Sequence, residues 1–273
     1  MHTLAVIASA WQWNVPGLVC CGAILAVYAA LGGLRRSRTL AWFVSAEIFL
    51  AVVVCSPLDL IARQYLLTGE AIEQLSIGLV ASYLFTLGAP ESLLRKLHLD
   101  RVRVPYFLAW IAGMAVLSIW YLPRLLNAAL LSSAVRGVEY ATLLAGGAMF
   151  WWPIHSPLRE QRIRLVPTSL LYLAAATVWC SLLGLALAFA QTSGHYLRGP
   201  DTLHIADSLV TDWSLTPEND QQTAGLLFWI GAAAVLLTEV MSVYYRWYIS
   251  PEVRNEFASN VKTIPAPPGP GAP

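Results

Sequence analysis

Residues 167–190 read PTSLLYLAAATVWCSLLGLALAFA, a run without one charged side chain. A helix needs about 20 mostly apolar residues to cross the hydrocarbon core of a bilayer, and this run meets that length. Six further stretches of the same character lie near 16–34, 39–61, 71–90, 104–122, 137–155 and 223–247. The expected fold class is therefore all-α, an integral membrane bundle of seven transmembrane helices. Interfacial aromatics mark several ends, as an anchoring belt requires: Trp11 and Trp13 before the first, Trp120-Tyr121 closing the fourth, and Tyr244 to Tyr248 closing the seventh.

Composition supports the same reading. The chain has 273 residues, of which 57% are hydrophobic and 12% charged, about half the charge of an ordinary soluble domain. A net charge of +1 and the lack of a basic stripe interleaved with aromatics leave no case for nucleic acid. The lipid bilayer is the expected surrounding. Ala8-Ser9-Ala10 has a small-x-small form, but no Lys or Arg precedes it and its apolar run is short. A cleaved leader is not expected on that pattern.

Orientation follows from where the cations fall, since loops on the cytoplasmic side collect Lys and Arg. Arg35, Arg36, Arg38, Arg95, Lys96, Arg101, Arg103, Arg159, Arg162, Arg164, Arg246, Arg254 and Lys262 lie on one side, and only Arg63, Arg124, Arg136 and Arg198 on the other. The N-terminus is expected outside and the C-terminus in the cytoplasm. Two units result: a transmembrane domain over 1–254 and a Pro/Gly-rich cytoplasmic tail over 255–273. The tail cannot bury a core and is expected to be extended or disordered unless a partner holds it.

Ionisable groups inside spans are costly and face a protein interior or a wet cavity. Glu47 and Glu239 are of this kind, with interhelical hydrogen bonding as the simplest expectation. A larger polar set gathers at the external membrane edge: Asp59, Glu70, Glu73, Gln74, Glu139, Tyr140, Asp220 and Gln221. Glu70 and Gln74 share a helix face. The set reads either as one convergent pocket or as a series of helix caps, because acidic residues sit well at helix N-termini. The four cysteines (Cys20, Cys21, Cys55, Cys180) all lie in apolar runs, where small apolar packing is their ordinary role.

Several motifs together resemble the seven-span CtaG-type assembly factors of haem-copper cytochrome c oxidase, over about residues 11–250. They are Trp11-x-Trp13 with Pro16 and Tyr28, then Ser56-Pro57-Leu58-Asp59, and Leu87-Gly88-Ala89-Pro90 followed by Leu93-Leu94-Arg95. Phe150-Trp151-Trp152-Pro153 and Cys180-Ser181-Leu182-Leu183-Gly184 follow, and the most specific is Asp220-Gln221-Gln222-x-Ala224-Gly225-Leu226-x-x-Trp229. The resemblance implies a protein of the bacterial inner membrane that helps place copper in the oxidase. It also implies a His-x-x-x-His pair opening the third span and a further His after a Glu in the fifth. Anchored on Gly88-Ala89-Pro90 and on Phe150-Trp151-Trp152, those positions hold Glu70, Gln74 and Tyr140 in this chain. None of its five histidines lies deep within a span.

Cu(I) favours thiolate or imidazole ligands over carboxyl and amide oxygens. The expected function is thus a non-catalytic accessory or assembly subunit of the oxidase, with no confident cofactor. The alternative is copper delivery through a rebuilt set drawn from Cys20, Cys55 and His195. A transporter or membrane enzyme is disfavoured, since there is no internal repeat, no pair of broken helices and no catalytic constellation.

Overall fold

The computed structural model describes residues 15–30, 37–56, 58–59, 62, 66–90, 95, 105–155, 166–190 and 216–250. The 255–273 tail, Trp11, Trp13, Ala8-Ser9-Ala10 and His195 lie outside the described residues, as does the side chain of Cys20. Among the described residues the chain is helical throughout, with no strand. The helices are α1 (Val15–Ala30), α2 (Ser37–Cys55), α3 (Leu67–Gly88), α4 (Tyr106–Ile119), α5 (Pro123–Leu131), α6 (Ser133–His155), α7 (Val166–Phe189) and α8 (Pro217–Tyr248). Each of the seven apolar stretches coincides with one of these, α5 being the addition. Four (α2, α3, α7, α8) are long and apolar enough to cross a membrane, and the bent pair α4–α5 makes a fifth if counted as one span.

The boundaries differ from the hydropathy reading where side chains intervene. Helix α2 stops at Cys55 rather than running to 61, because Pro57 has no N–H to continue it and the Ser56 hydroxyl accepts from the Leu58 amide at 3.2 Å. Helices α3, α6 and α8 all start earlier than their apolar runs. Their first turns are polar, and hydropathy alone assigns such turns to loops. After α4 ends at Ile119 the next helix is set at 67° to it, and Pro123 opens that helix, α5, at a first-turn position where its missing N–H costs nothing.

Helix α3 is the central element: 61% of its 18-residue apolar stretch is buried, against 28–39% for the corresponding stretches of the other three long apolar helices. Its middle, Ser76–Ala81, is a π-helical segment, and α6 packs there so closely that a Cβ on Gly147 would run into the Gly78 carbonyl and the Ser82 side chain. Trp151, fully buried on α6, donates its Nε1–H to the Leu79 carbonyl within the same segment at 2.9 Å. Helices α7 and α8 meet through small residues, with Gly184 against Gly225 and Gly225 against Ala188. Small residues let helix backbones approach, which is how membrane helices gain packing contact. The outer faces carry Phe107, Leu171, Val178, Leu182, Ile230 and Met241, each more than half exposed. Large apolar side chains exposed in this number suit lipid rather than water.

Candidate functional site

The first turns of α3 and α6 carry matching patterns. Glu70, Glu73 and Gln74 stand at i, i+3 and i+4 on α3, and Arg136, Glu139 and Tyr140 stand at i, i+3 and i+4 on α6. That spacing puts each trio on one helix face. The close contact of the helices at Gly147 brings the two faces together, and Arg136 is where they meet.

Each of its three guanidinium nitrogens has a partner. Arg136 Nη1 donates to Glu70 Oε1 and Oε2 at 2.8 and 2.7 Å and to Glu139 Oε2 at 3.0 Å. Nη2 donates to Glu73, and Nε donates to the Tyr140 hydroxyl at 3.1 Å. The Tyr140 O–H in turn reaches Asp59 Oδ1 at 2.9 Å and also contacts Glu73. Gln74 Nε2 closes the ring, donating to Glu70 Oε1 at 2.9 Å and Glu139 Oε1 at 2.8 Å. Arg136, Glu70, Glu73, Gln74 and Glu139 are each no more than 2% exposed. The cluster is sealed from bulk solvent and belongs to the buried regime of ion pairing, where a pair is stable only if its hydrogen bonds are complete.

The charges do not balance with every acid ionised. Four carboxyl groups (Asp59, Glu70, Glu73, Glu139) face one guanidinium, and uncompensated buried charge costs several kcal/mol. The hydrogen bonds point the same way. Tyr140 has a single hydroxyl proton, so its oxygen cannot donate to both Asp59 and Glu73; one of those contacts needs a proton held on a carboxyl. The arrangement thus keeps a fixed cation at its centre among carboxyls that share protons.

Not all of the polar set joins this cluster. The Asp220 carboxylate accepts from the amides of Leu67 and Thr68 at 2.8 and 3.1 Å, while the Thr68 hydroxyl donates to the Asp220 carbonyl. Asp220 is thus a cap, but for α3 rather than for its own helix, which Thr216 caps by accepting from the Asn219 amide. This capping lets α3 begin at Leu67. Gln221 Nε2 donates to the carbonyls of Leu187, at 2.7 Å, and Ala190, which satisfies acceptors left open at the C-terminal end of α7. Cys55 is a buried free thiol at the end of α2. Glu47 is buried on α2 beside the Cys21 thiol of α1. Among the described residues no group of three or more His, Cys, Asp or Glu is arranged to hold a metal ion.

The sequence reading missed Arg136 as a site residue, because it entered only as one of four cations on the outer side. A signal was present: Arg136-x-x-Glu139-Tyr140 opens a span, and a cation there needs partners, which the α3 face supplies. At the opposite end of the bundle a second, smaller cluster surrounds Glu239. Its Oε2 accepts from the Tyr83 hydroxyl at 3.0 Å and its Oε1 from Arg246 Nη2 at 2.6 Å. His155 Nε2 lies 3.1 Å from the same Oε1 but off the line of a hydrogen bond.

With this geometry in place, comparison with known proteins finds that the model of one family, the cytochrome c oxidase caa3 assembly factor (Caa3_CtaG), matches residues 23–250. No curated protein and no solved structure matches the chain.

Proposed function

The chain belongs to the cytochrome c oxidase caa3 assembly factor family, and from that premise we propose that it serves a terminal oxidase as a membrane-embedded accessory or assembly subunit that does not itself carry copper. One observation carries this reading: Arg136 sits among the positions where the resemblance sets the family's histidines. Arg136 bonds directly to Glu70 and Tyr140, and Gln74 bonds to Glu70. A guanidinium stays charged at any relevant pH, so the centre of the cluster already holds a cation. The surrounding donors are carboxyl, amide and phenol oxygens, which do not fit Cu(I). The residues present thus do not suit copper as cargo at this position.

In this reading the seven-span body, with its N-terminus outside and its C-terminus in the cytoplasm of a bacterial inner membrane, is retained for docking. The Arg136 cluster stiffens its external end. The Pro-rich 255–273 tail and the lipid-facing surface are then available to oxidase subunits.

Metal analysis of the purified full-length protein after exposure to Cu(I) under reducing conditions tests the proposal. The expected result is less than stoichiometric copper, together with co-purification of oxidase subunits. One copper per chain, lost on Cys55→Ser or His195→Ala, overturns it in favour of delivery through a rebuilt ligand set. A variant carrying Glu70→His, Gln74→His and Tyr140→His with Arg136→Leu is expected to gain Cu(I) binding that the natural chain lacks.

A further inference from the structure

At the end of the bundle away from Arg136, the N-terminus of α2, the C-terminal ends of α3 and α6 and the last turns of α8 enclose a cavity of about 500 Å³. That volume is ordinary for a site that holds a small ligand or a head group. Its polar lining includes Arg38, Thr39, His155, Ser242 and Arg246, and Trp42 stands beside them. We propose that this cavity binds a phosphate-bearing anion, the head group of an anionic phospholipid.

Charge is the first argument. The nearby carboxylate, Glu239, is already engaged by Arg246 and Tyr83, with His155 close by. Arg38 is exposed and makes no ion pair among the described residues, so the cavity keeps an unspent cation. Helix α2 adds to it. The first turn of this helix contains no acidic residue, and its positive dipole end favours an anion.

His155 is the second and independent argument. It is only 4% exposed, lines the cavity, and its Nε2, though 3.1 Å from Glu239 Oε1, makes no aligned hydrogen bond. A buried polar atom left in that state is stabilised by a ligand that accepts from it. Guanidinium and imidazole groups lining one cavity form a donor set that phosphate oxygens take up.

The surroundings favour a lipid as the source. Trp42 is 40% exposed at the rim, and Tyr244 and Tyr248 lie exposed on the neighbouring end of α8. Amphipathic aromatics of this kind sit at head-group level. Arg38, Arg246 and Arg95 also belong to the cation-rich side, which faces the anionic leaflet in the orientation read from the sequence.

The test uses delipidated full-length protein in a neutral detergent, titrated with phosphatidylglycerol, phosphatidylcholine or inorganic phosphate while its melting temperature is followed. A saturable rise with phosphatidylglycerol, absent with phosphatidylcholine, supports the proposal. So does a loss of about tenfold in apparent affinity in Arg38→Ala, the effect of removing one charge-assisted contact. Ser242→Phe, which fills the cavity without touching a charge, is expected to abolish the shift in a protein that still melts cooperatively. Equal responses to both lipids, or an unchanged response in Arg38→Ala and Ser242→Phe alike, overturn it. A full response to inorganic phosphate with none to phosphatidylglycerol overturns the lipid assignment.

Discussion

The two ends of this bundle handle buried charge in opposite ways. At one end Arg136 meets Glu70, Glu73 and Glu139 with every side chain almost completely buried, and each guanidinium nitrogen has a partner. At the other end Arg246 meets Glu239, but its side chain is 44% exposed and a cavity opens beside the pair. A buried charge that loses its partner cannot be rescued by water, whereas an exposed one is rehydrated at little cost. The closed end is thereby suited to holding a shape and the open end to admitting something from outside.

The sharpest way to break this contrast is to remove the same residue type at each end. Arg136→Met is expected to destabilise the protein by about 3–5 kcal/mol, the usual cost of stranding a buried partner charge, read as a lowered melting temperature and a fall in folded yield. Because such a variant can fail to fold, Arg136→Gln combined with Glu73→Gln serves as the second measurement. It is expected to recover part of the loss, and a double variant no better than the single one would mean that the cluster is not an ion-pair network. Overpacking the α3–α6 contact comes next. Gly147→Leu forces the two helix faces apart and is expected to cost about 1–3 kcal/mol, while the same change at Gly137, where an added Cβ meets nothing within 4 Å, is expected to be near neutral.

Asp220→Ala removes the cap that crosses from α8 to the start of α3. A loss of about 1 kcal/mol is expected, and hydrogen exchange should quicken at the Leu67 and Thr68 amides in particular. Arg246→Gln combined with Glu239→Gln, which strands no buried carboxylate, is expected to have the smallest effect at the open end, below about 1 kcal/mol. If it proved as damaging as Arg136→Met, the distinction between the two ends would fail.

Much of the fold was legible because its signal is local. A charge-free run such as 167–190 is apolar whichever neighbours it has, and helices coincide with all seven such runs. The candidate site was legible only in part. Asp59, Glu70, Gln74, Glu139 and Tyr140 stood out as polar residues at one membrane edge, and the fold gathers them. Asp220 and Gln221 had the same signature but serve other helices, since an acidic residue at a helix start looks identical whether it caps its own amides or a neighbour's. The π-helical segment at Ser76–Ala81 left no clear mark. It depends on how α3 is packed.

Sequence alone was sufficient for the all-helical character, the apolar stretches and the absence of histidine at Glu70, Gln74 and Tyr140. Each of these is a property of residue type and order. Tertiary structure alone decided that Arg136 fills the space among those positions and that Asp220 belongs functionally to α3. The reason is physical: charge compensation and hydrogen bonding act across distances in space, and here they join residues 66 and 153 positions apart in the chain.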